Sequence, residues 1–277
     1  MAISASEVNK LRQATGAGMM DCKKALQETG GDFDAAIDYL RKKGQKVAAK
    51  RADREANEGV VIALTSDDNK TGYVLHVTSE TDFVAKNQDF IDFATAITEA
   101  AKAADAKTKE EVLELTIDGA SVKEKLEEMV GKIGEKIELG RYDRVEGEMV
   151  IPYIHMGYKI GVLVSFNQAG NGEMSEVGKD IAMQIAAMNP VGIDEEDVPE
   201  EVKQKELEMG REQALAEGKP EQIVDKIAQG KLQKFFKDNT LLHQPFVKDS
   251  SKKVNEVLQA VDNDLKVLRF TRVSLGE

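Results

Sequence analysis

The spacing of apolar residues at the start of the chain predicts three short helices. Ser4 and Glu7 match the capping-box motif ahead of apolar residues at helical spacing, and Gly16 follows as a helix stop signal. The same signals predict two further helices, one from about 19 to 28 and one from about 32 to 43, before Gly44.

A unit of this size, residues 1–54, can bury only a small core. Below about 50 residues little apolar surface is removed from water, so such a bundle is marginal by itself. We therefore expect a three-helix docking module rather than an independent domain.

The apolar period then changes from helical to extended. Segments 59–66 and 72–80 are rich in β-branched and aromatic residues and flank a turn-forming DDNK, which predicts a β-hairpin. The next helix carries a stripe of Phe90, Phe93, Ala94 and Ile97. A further helix is predicted from about Ser121 to Ile133, opened by a second capping-box spelling.

The same order of elements recurs later in the chain. Segments 148–156 and 159–167 predict a second hairpin, and 173–188 predicts a helix that ends before Pro190. Two hairpin-then-helix units predict an α+β fold with a duplicated core. Its parts are residues 55–146, residues 147–193 and, with a last helix and strand, residues 238–277.

Residues 194–237 interrupt the second unit with dense Glu, Lys and Gln. Pro199 and Pro220 each suit a first helical turn, so an antiparallel helical hairpin is predicted. Its apolar seam is too narrow for burial on several sides, and we expect the hairpin to project from the body. The seam is predicted to consist of Val202, Leu207, Leu215, Ile223, Ile227 and Leu232.

Composition and charge limit the classes of function. The 277 residues exceed one typical domain, and the net charge of -12 argues against a general nucleic-acid binder. Residues 41–54 oppose this trend, with seven Lys or Arg against one Asp. This run is either a solvated linker helix or an electrostatic contact with an acidic partner.

Metal, membrane and export functions lack a signal. Cys22 is the only cysteine and the three histidines are far apart, so we expect no metal site and no cofactor. No apolar run reaches the roughly 18 residues that cross a bilayer. The first ten residues, MAISASEVNK, do not read as a leader, so a cytoplasmic location is expected.

Motifs for phosphate binding, nucleophilic catalysis and metal catalysis are missing, so we expect a protein that is not an enzyme. The unusual segment is TDFVAKN at 81–87. Asp82 there is either an N-cap with Phe83 as a hydrophobic staple, or Phe83 is a wedge presented to a partner at a helix start.

The chain resembles the bacterial translation elongation factor Ts family over nearly its whole length. The segments that carry the resemblance stand in the family's order: TGAGMMDCKKAL at 15–26, ETDFVAKN at 80–87, KIGE at 132–135, YIHMGYKIGVLV at 153–164, IAMQIAAMNP at 181–190, GKPEQIVDKIAQGK at 218–231 and QPFV at 244–247.

This resemblance implies a fold and an activity. The fold would be a three-helix domain similar to ubiquitin-associated domains, two related α+β subdomains, and an inserted helical hairpin of the dimerisation type. The activity would be guanine-nucleotide exchange: binding elongation factor Tu, GDP-bound or nucleotide-free, and speeding GDP release. A homodimer through the hairpin is possible, and neither nucleic acid nor membrane is expected as a direct partner.

The resemblance also implies roles for particular residues. Thr81, Asp82, Phe83 and Val84 match the loop that intrudes near the partner's Mg²⁺ site. The positions that match partner-binding residues are Arg12, Met19, Met20, Lys23, Arg51, Ile133, Gly134 and His155.

Two departures limit the resemblance. Gln184 stands where some members have His, and many members continue into a further helical module, whereas this sequence ends at Glu277.

The alternative function is a scaffold or chaperone-like binder that does not change the rate of nucleotide release.

Overall fold

The computed structural model describes residues 3–170 and 172–276. Its first unit has three helices, α1 (Ala5–Thr15), α2 (Met19–Glu28) and α3 (Phe33–Arg51). The predicted capping box is confirmed, because the Glu7 amide donates to the Ser4 hydroxyl and the Ser4 amide donates to the Glu7 carboxylate. Gly16 ends α1 in the left-handed conformation.

A three-stranded antiparallel sheet with helices on one face follows. Its strand order is β1-β2-β5. The elements of this unit are β1 (Glu58–Thr65), β2 (Thr71–Ser79), α4 (Asp82–Ala85), α5 (Gln88–Ala103), α6 (Lys109–Glu114), β3 (Thr116–Ile117), β4 (Ala120–Ser121), α7 (Val122–Ile133) and β5 (Glu138–Glu146).

A second antiparallel sheet, with strand order β10-β7-β6, is built from the rest of the chain. Its last strand comes after the long helices α9 and α10. The elements are β6 (Met149–His155), β7 (Ile160–Phe166), α8 (Gly172–Met188), α9 (Glu200–Ala216), α10 (Glu221–Asn239), β8 (Pro245–Phe246), β9 (Asp249–Lys253), α11 (Val254–Val261) and β10 (Val267–Ser274).

The two sheets pack face to face and carry helices on their outer faces. Val61 and Val74 of the first sheet meet Val150 and Leu163 of the second in an inner core. A larger core lies between the first sheet and helices α5 and α7, and another lies between the second sheet and helices α8 and α11. The result is an α+β fold in which the hydrophobic faces of both sheets are covered on both sides.

Helix α3 is longer than the sequence predicted. It continues through Gly44 to Arg51, so the predicted end near Lys43 was wrong. Gly44 is buried where α3 crosses α7, and a Cβ added there would lie 2.9 Å from the backbone oxygen of Glu127. The glycine is therefore a close-packing residue and not a helix stop.

Strand β5 was not predicted. Its buried residues Leu139 and Tyr142 are three positions apart rather than two. The pairing with β2 shows why: Val77 pairs with Leu139 and His76 with Arg141, which leaves Gly140 as an extra residue. This bulge breaks the alternation by which a strand is recognised.

Helices α9 and α10 form the predicted antiparallel hairpin, but part of the predicted seam was wrong. Leu215 is 52% exposed and Ile223 is 42% exposed. Their neighbours Ala214 and Val224 are buried instead. The two helices approach closely through small residues such as Gly210, where an added Cβ would lie 3.0 Å from the Ala228 Cα, so the larger side chains are turned outward.

Within the described part of the chain, none of the helices is both long and apolar enough to cross a membrane.

Candidate functional site

The turn between β2 and α4 presents an aromatic ring to solvent. Thr81 is the N-cap of α4, Asp82 is its first helical residue, and the Phe83 side chain is 84% exposed. A hydrophobic staple would be packed against the helix. The staple interpretation, with Asp82 as N-cap, is therefore wrong, while Val84 packs partly against the core beneath.

The carboxylate of Glu135 holds this turn from beneath. It accepts hydrogen bonds from the backbone amides of Glu80, at 3.1 Å, and Thr81, at 3.0 Å. It also accepts one from the Thr81 hydroxyl at 2.7 Å. Hydrogen bonds to a carboxylate are stronger than those between neutral groups. The start of α4 is therefore firmly attached to Glu135, which lies two residues after the end of α7.

Glu80 makes the reverse attachment. Its carboxylate accepts hydrogen bonds from the Lys136 amide at 2.6 Å, from Arg51 at 2.7 Å and from Arg54 at 3.2 Å. Burial opposes ionisation of this group, but the amide and the two guanidinium groups outweigh it and lower the pKa of Glu80. Arg51 is thus engaged inside the chain, with its side chain 26% exposed.

Two residues predicted to bind a partner lie beside this attachment. Ile133 is the last residue of α7, and Gly134 follows it in the left-handed conformation with φ of 82°. Both are half-buried. The left-handed backbone at Gly134 directs Glu135 back toward Thr81. Ile133 and Gly134 therefore lie close to the turn that carries Phe83.

The β6–β7 turn lies near the same edge. His155 stacks on Tyr153 with ring centroids 5.7 Å apart, and the Tyr153 hydroxyl is 3.0 Å from its Nδ1. Met156 follows with a positive φ of 54° and is 64% exposed. The turn is attached to strand β1, because the Tyr158 carbonyl accepts a hydrogen bond from the Val61 amide at 2.8 Å. The pKa of Asp82 is lowered, chiefly by the hydrogen bond from Lys86 and to a smaller extent by the charge of Lys159.

The predicted docking residues of the first unit are on the surface. Arg12 and Lys23 are exposed, Met19 is 53% exposed and Met20 is 72% exposed. The loop before α2 reaches the end of α7, since a Cβ added at Gly16 would lie 2.8 Å from the Lys132 Cε. The loop that precedes the predicted docking residues Met19 and Met20 is therefore in contact with the helix that leads to Glu135.

The basic run at 41–54 is largely paired within the molecule. Arg41 binds Glu128 at 2.8 Å, Lys43 binds Asp21, and Arg51 and Arg54 share Glu80. The run belongs to α3 and to the turn after it, so it is neither a simple linker nor a wholly free patch. Three of its lysines remain exposed: Lys42, Lys46 and Lys50.

The amino-acid sequence of this chain is similar to those of known proteins. A family model described as Elongation factor TS matches residues 80–277. The Elongation factor Ts of Christiangramia forsetii is 53% identical over 274 residues, 99% of each chain. That of Cytophaga hutchinsonii is 50% identical over 275 residues, also 99% of each. That of Amoebophilus asiaticus is 50% identical over 276 residues, 100% of each.

The chain belongs to the elongation factor Ts family. This places it among the translation elongation factors of protein biosynthesis. The exposed Phe83 lies inside the matched region, just after its first residue, Glu80.

Three further polar side chains, those of Cys22, His76 and Gln184, are buried. Cys22 is buried between the first helices, and His76 is buried on β2, where burial lowers its pKa. Gln184 is fully buried: its amide nitrogen donates to Gln244 and to the Pro245 carbonyl, and its oxygen accepts from the Val247 amide. Among the described residues, no group of three or more His, Cys, Asp or Glu could hold a metal ion.

Sequence reasoning missed the residues that hold the turn. Glu80 and Glu135 stood within the quoted segments ETDFVAKN and KIGE, yet an acidic residue on a charged chain gave no reason to single either out. The signal that was available is positional: each glutamate stands directly beside a residue that was singled out, Thr81 and Gly134 respectively.

Proposed function

We propose that this protein is a guanine-nucleotide exchange factor that binds elongation factor Tu carrying GDP and promotes release of the nucleotide. The observation that carries the proposal is the Phe83 side chain, 84% exposed on a turn that two carboxylates hold in place. Exposing a phenylalanine ring to water is unfavourable, and a partner that covers it would recover that free energy.

The proposed mechanism makes and breaks no covalent bond. Phe83, supported by Thr81, Asp82 and Val84, would enter the partner near its Mg²⁺ and phosphate site and favour the conformation in which that site is disturbed. A ligand shifts such an equilibrium only by its difference in affinity for the two conformations. GDP would then dissociate faster, and the factor would be released unchanged, acting in the cytoplasm where elongation takes place.

Docking on the partner is assigned to the first unit. Exposed Met19 and Met20 are flexible and fill irregular apolar surfaces, and Arg12 and Lys23 supply charges beside them. Ile133, Gly134 and His155 would line the same contact, and Arg51 would contribute to it from its ion pair with Glu80.

The proposed division of the chain follows from these roles. Residues 1–54, similar to a ubiquitin-associated domain, dock. Residues 55–146 and 147–193, with 238–277, form two related subdomains that carry Phe83 and His155. Residues 194–237 form the inserted hairpin.

A nucleotide-release assay tests this function. Elongation factor Tu loaded with fluorescent GDP is mixed with excess unlabelled GDP, with and without this protein. We expect release to accelerate, and one molecule of the factor to empty many molecules of the partner. Unchanged release despite formation of a complex would contradict exchange and support a scaffold or chaperone-like binder.

We also propose that the hairpin mediates self-association. Its internal seam is already filled, yet Met209, Leu215 and Ile223 are 37%, 52% and 42% exposed. An apolar surface left over on a helical hairpin is suited to pairing with a second copy.

The test is the mass in solution by light scattering. We expect Leu215→Glu combined with Ile223→Glu to give a monomer from a wild-type dimer. The control is Leu268→Glu, which charges an equally exposed side chain on β10, at 52%, and should leave the dimer intact. A monomeric wild-type protein would contradict the proposal.

A further inference from the structure

The segments at 80–81 and 135–136 are joined by an exchange of carboxylates. Each segment supplies a glutamate that binds the backbone of the other: Glu135 accepts from the amides of Glu80 and Thr81, and Glu80 accepts from the amide of Lys136. We call this pair the carboxylate brace. Hydrogen bonds to carboxylate acceptors are of the stronger, charge-assisted kind.

The helix that carries Phe83 cannot hold its own position. Helix α4 has four residues, and a single turn is far too short to be stable alone. Its N-cap Thr81 makes no side-chain cap, because its hydroxyl donates to Glu135 instead. The direction of the Phe83 ring therefore depends on what holds α4 from outside: the core beneath Val84 and Ala85, and the hydrogen bonds to Thr81 at the start of the helix.

The brace is also the place where the first unit meets the Phe83 turn. Arg51 is in the last turn of α3 and Arg54 lies three residues further on, and both bind the Glu80 carboxylate. Helix α3 packs along α7 through Gly44, and α7 ends one residue before Gly134, which directs Glu135 to the turn. A shift of α3 against α7 would thus act on both halves of the brace.

We propose that Glu80 and Glu135 are positioning residues for the exchange reaction: the carboxylate brace fixes the Phe83 ring for entry into the partner and couples its position to helix α3. This inference rests on the proposed exchange function. The brace itself would touch neither the nucleotide nor the Mg²⁺ of the partner. Its contribution is to remove the need to order the turn when the complex forms.

The first test uses the free protein and needs no partner. Amide hydrogen exchange is measured in the full chain for residues 85–87, whose amides donate to the oxygens of Thr81, Asp82 and Val84, in wild type and in Glu135→Ala. We expect these amides to exchange at least tenfold faster in the variant, while strand β2 and helix α10 stay as protected as before. Unchanged protection of 85–87 would overturn the brace as the element that orders the turn.

The second test separates positioning from plain stability. We expect Glu135→Ala to lower the maximal rate of GDP release about tenfold with little change in the factor concentration that gives half the maximal rate. Glu135→Gln, which keeps an acceptor oxygen, should recover part of the rate. A rise in the half-maximal concentration alone would overturn a positioning role.

The third test is a double variant. If Glu135 acts through the Phe83 ring, Glu135→Ala should lower the maximal rate of GDP release only slightly in a protein that already carries Phe83→Ala. If Glu135→Ala lowered that rate by the same factor in the wild-type and Phe83→Ala proteins, the inference would be overturned. The matched control is Glu124→Ala, which removes the capping carboxylate at the opposite end of α7 and should leave the maximal rate unchanged. If the wild-type protein does not accelerate GDP release, the proposed nucleotide-exchange function is contradicted but the brace is not, because amide hydrogen exchange tests the brace without the partner.

Discussion

The crossing of helices α3 and α7 gives a prediction that can be worked out from the structure. Gly44 and Gly131 face each other there: a Cβ at Gly131 would lie 2.8 Å from the Gly44 Cα, and one at Gly44 would lie 2.9 Å from the Glu127 carbonyl oxygen. Both obstacles are backbone atoms, which cannot rotate away. The two helices must therefore separate if either glycine gains a side chain.

We expect Gly44→Ala to destabilise the protein although alanine is the better helix former. Replacing a helical glycine by alanine gains up to about 1 kcal/mol in helix propensity. Overpacking a tight contact costs about 1–3 kcal/mol. The net expectation is a loss of roughly 1 kcal/mol, or about 2–4 °C in melting temperature for a chain of this size.

Gly230→Ala is the matched control. Gly230 is also inside a helix, α10, but an added Cβ would meet nothing within 4 Å. The same substitution should therefore stabilise there by about 0.5–1 kcal/mol. Thermal melting of both variants against wild type measures the difference. An equal rise in melting temperature for Gly44→Ala and Gly230→Ala would refute the close helix crossing.

Two further predictions concern charge. Burial lowers the pKa of His76, so the folded protein binds fewer protons than the unfolded one. The free energy of unfolding should therefore fall as the pH drops below about 6.5, by at most about 1.4 kcal/mol per pH unit. His76→Asn should flatten this slope in thermal melts between pH 7.5 and 5.5. An unchanged slope would contradict the burial of an uncharged His76. The double variant Arg12→Ser, Lys23→Ser should associate with elongation factor Tu several-fold more slowly at low salt, and the difference from wild type should shrink as salt is added. The control Lys205→Ser on α9 should associate at the wild-type rate. Stopped-flow mixing at several salt concentrations measures these rates, and an unchanged rate for the double variant would contradict docking by the first unit.

Local signals predicted much of the fold. The capping boxes at Ser4 and Ser121, the two hairpins and the helix that ends before Pro190 all depend on residues close together in the chain, and each is present. Long-range packing accounts for the errors. Gly44 continues a helix because another helix lies against it, and β5 was missed because of a bulge that only its pairing with β2 reveals.

The candidate site was predicted unevenly for a related reason. Phe83 was marked by its place directly after an acidic residue at a helix start, and its exposure contradicts the staple interpretation. The wedge interpretation stays a prediction. Glu135 lies 52 residues from Phe83 in sequence, and its role depends on three hydrogen bonds across that distance. No local pattern of apolar and polar residues contains such a contact.

The most direct test of exchange driven by Phe83 compares Phe83→Ala with wild type in both GDP release from elongation factor Tu and thermal melting. Since Phe83 is 84% exposed, its truncation should cost at most about 0.5 kcal/mol of stability. An aromatic residue at the centre of an interface contributes 2 kcal/mol or more, which corresponds to a roughly 30-fold loss of exchange. The control Leu268→Ala, exposed on β10, should leave exchange unchanged. Normal GDP release by Phe83→Ala would contradict the proposal that Phe83 drives exchange.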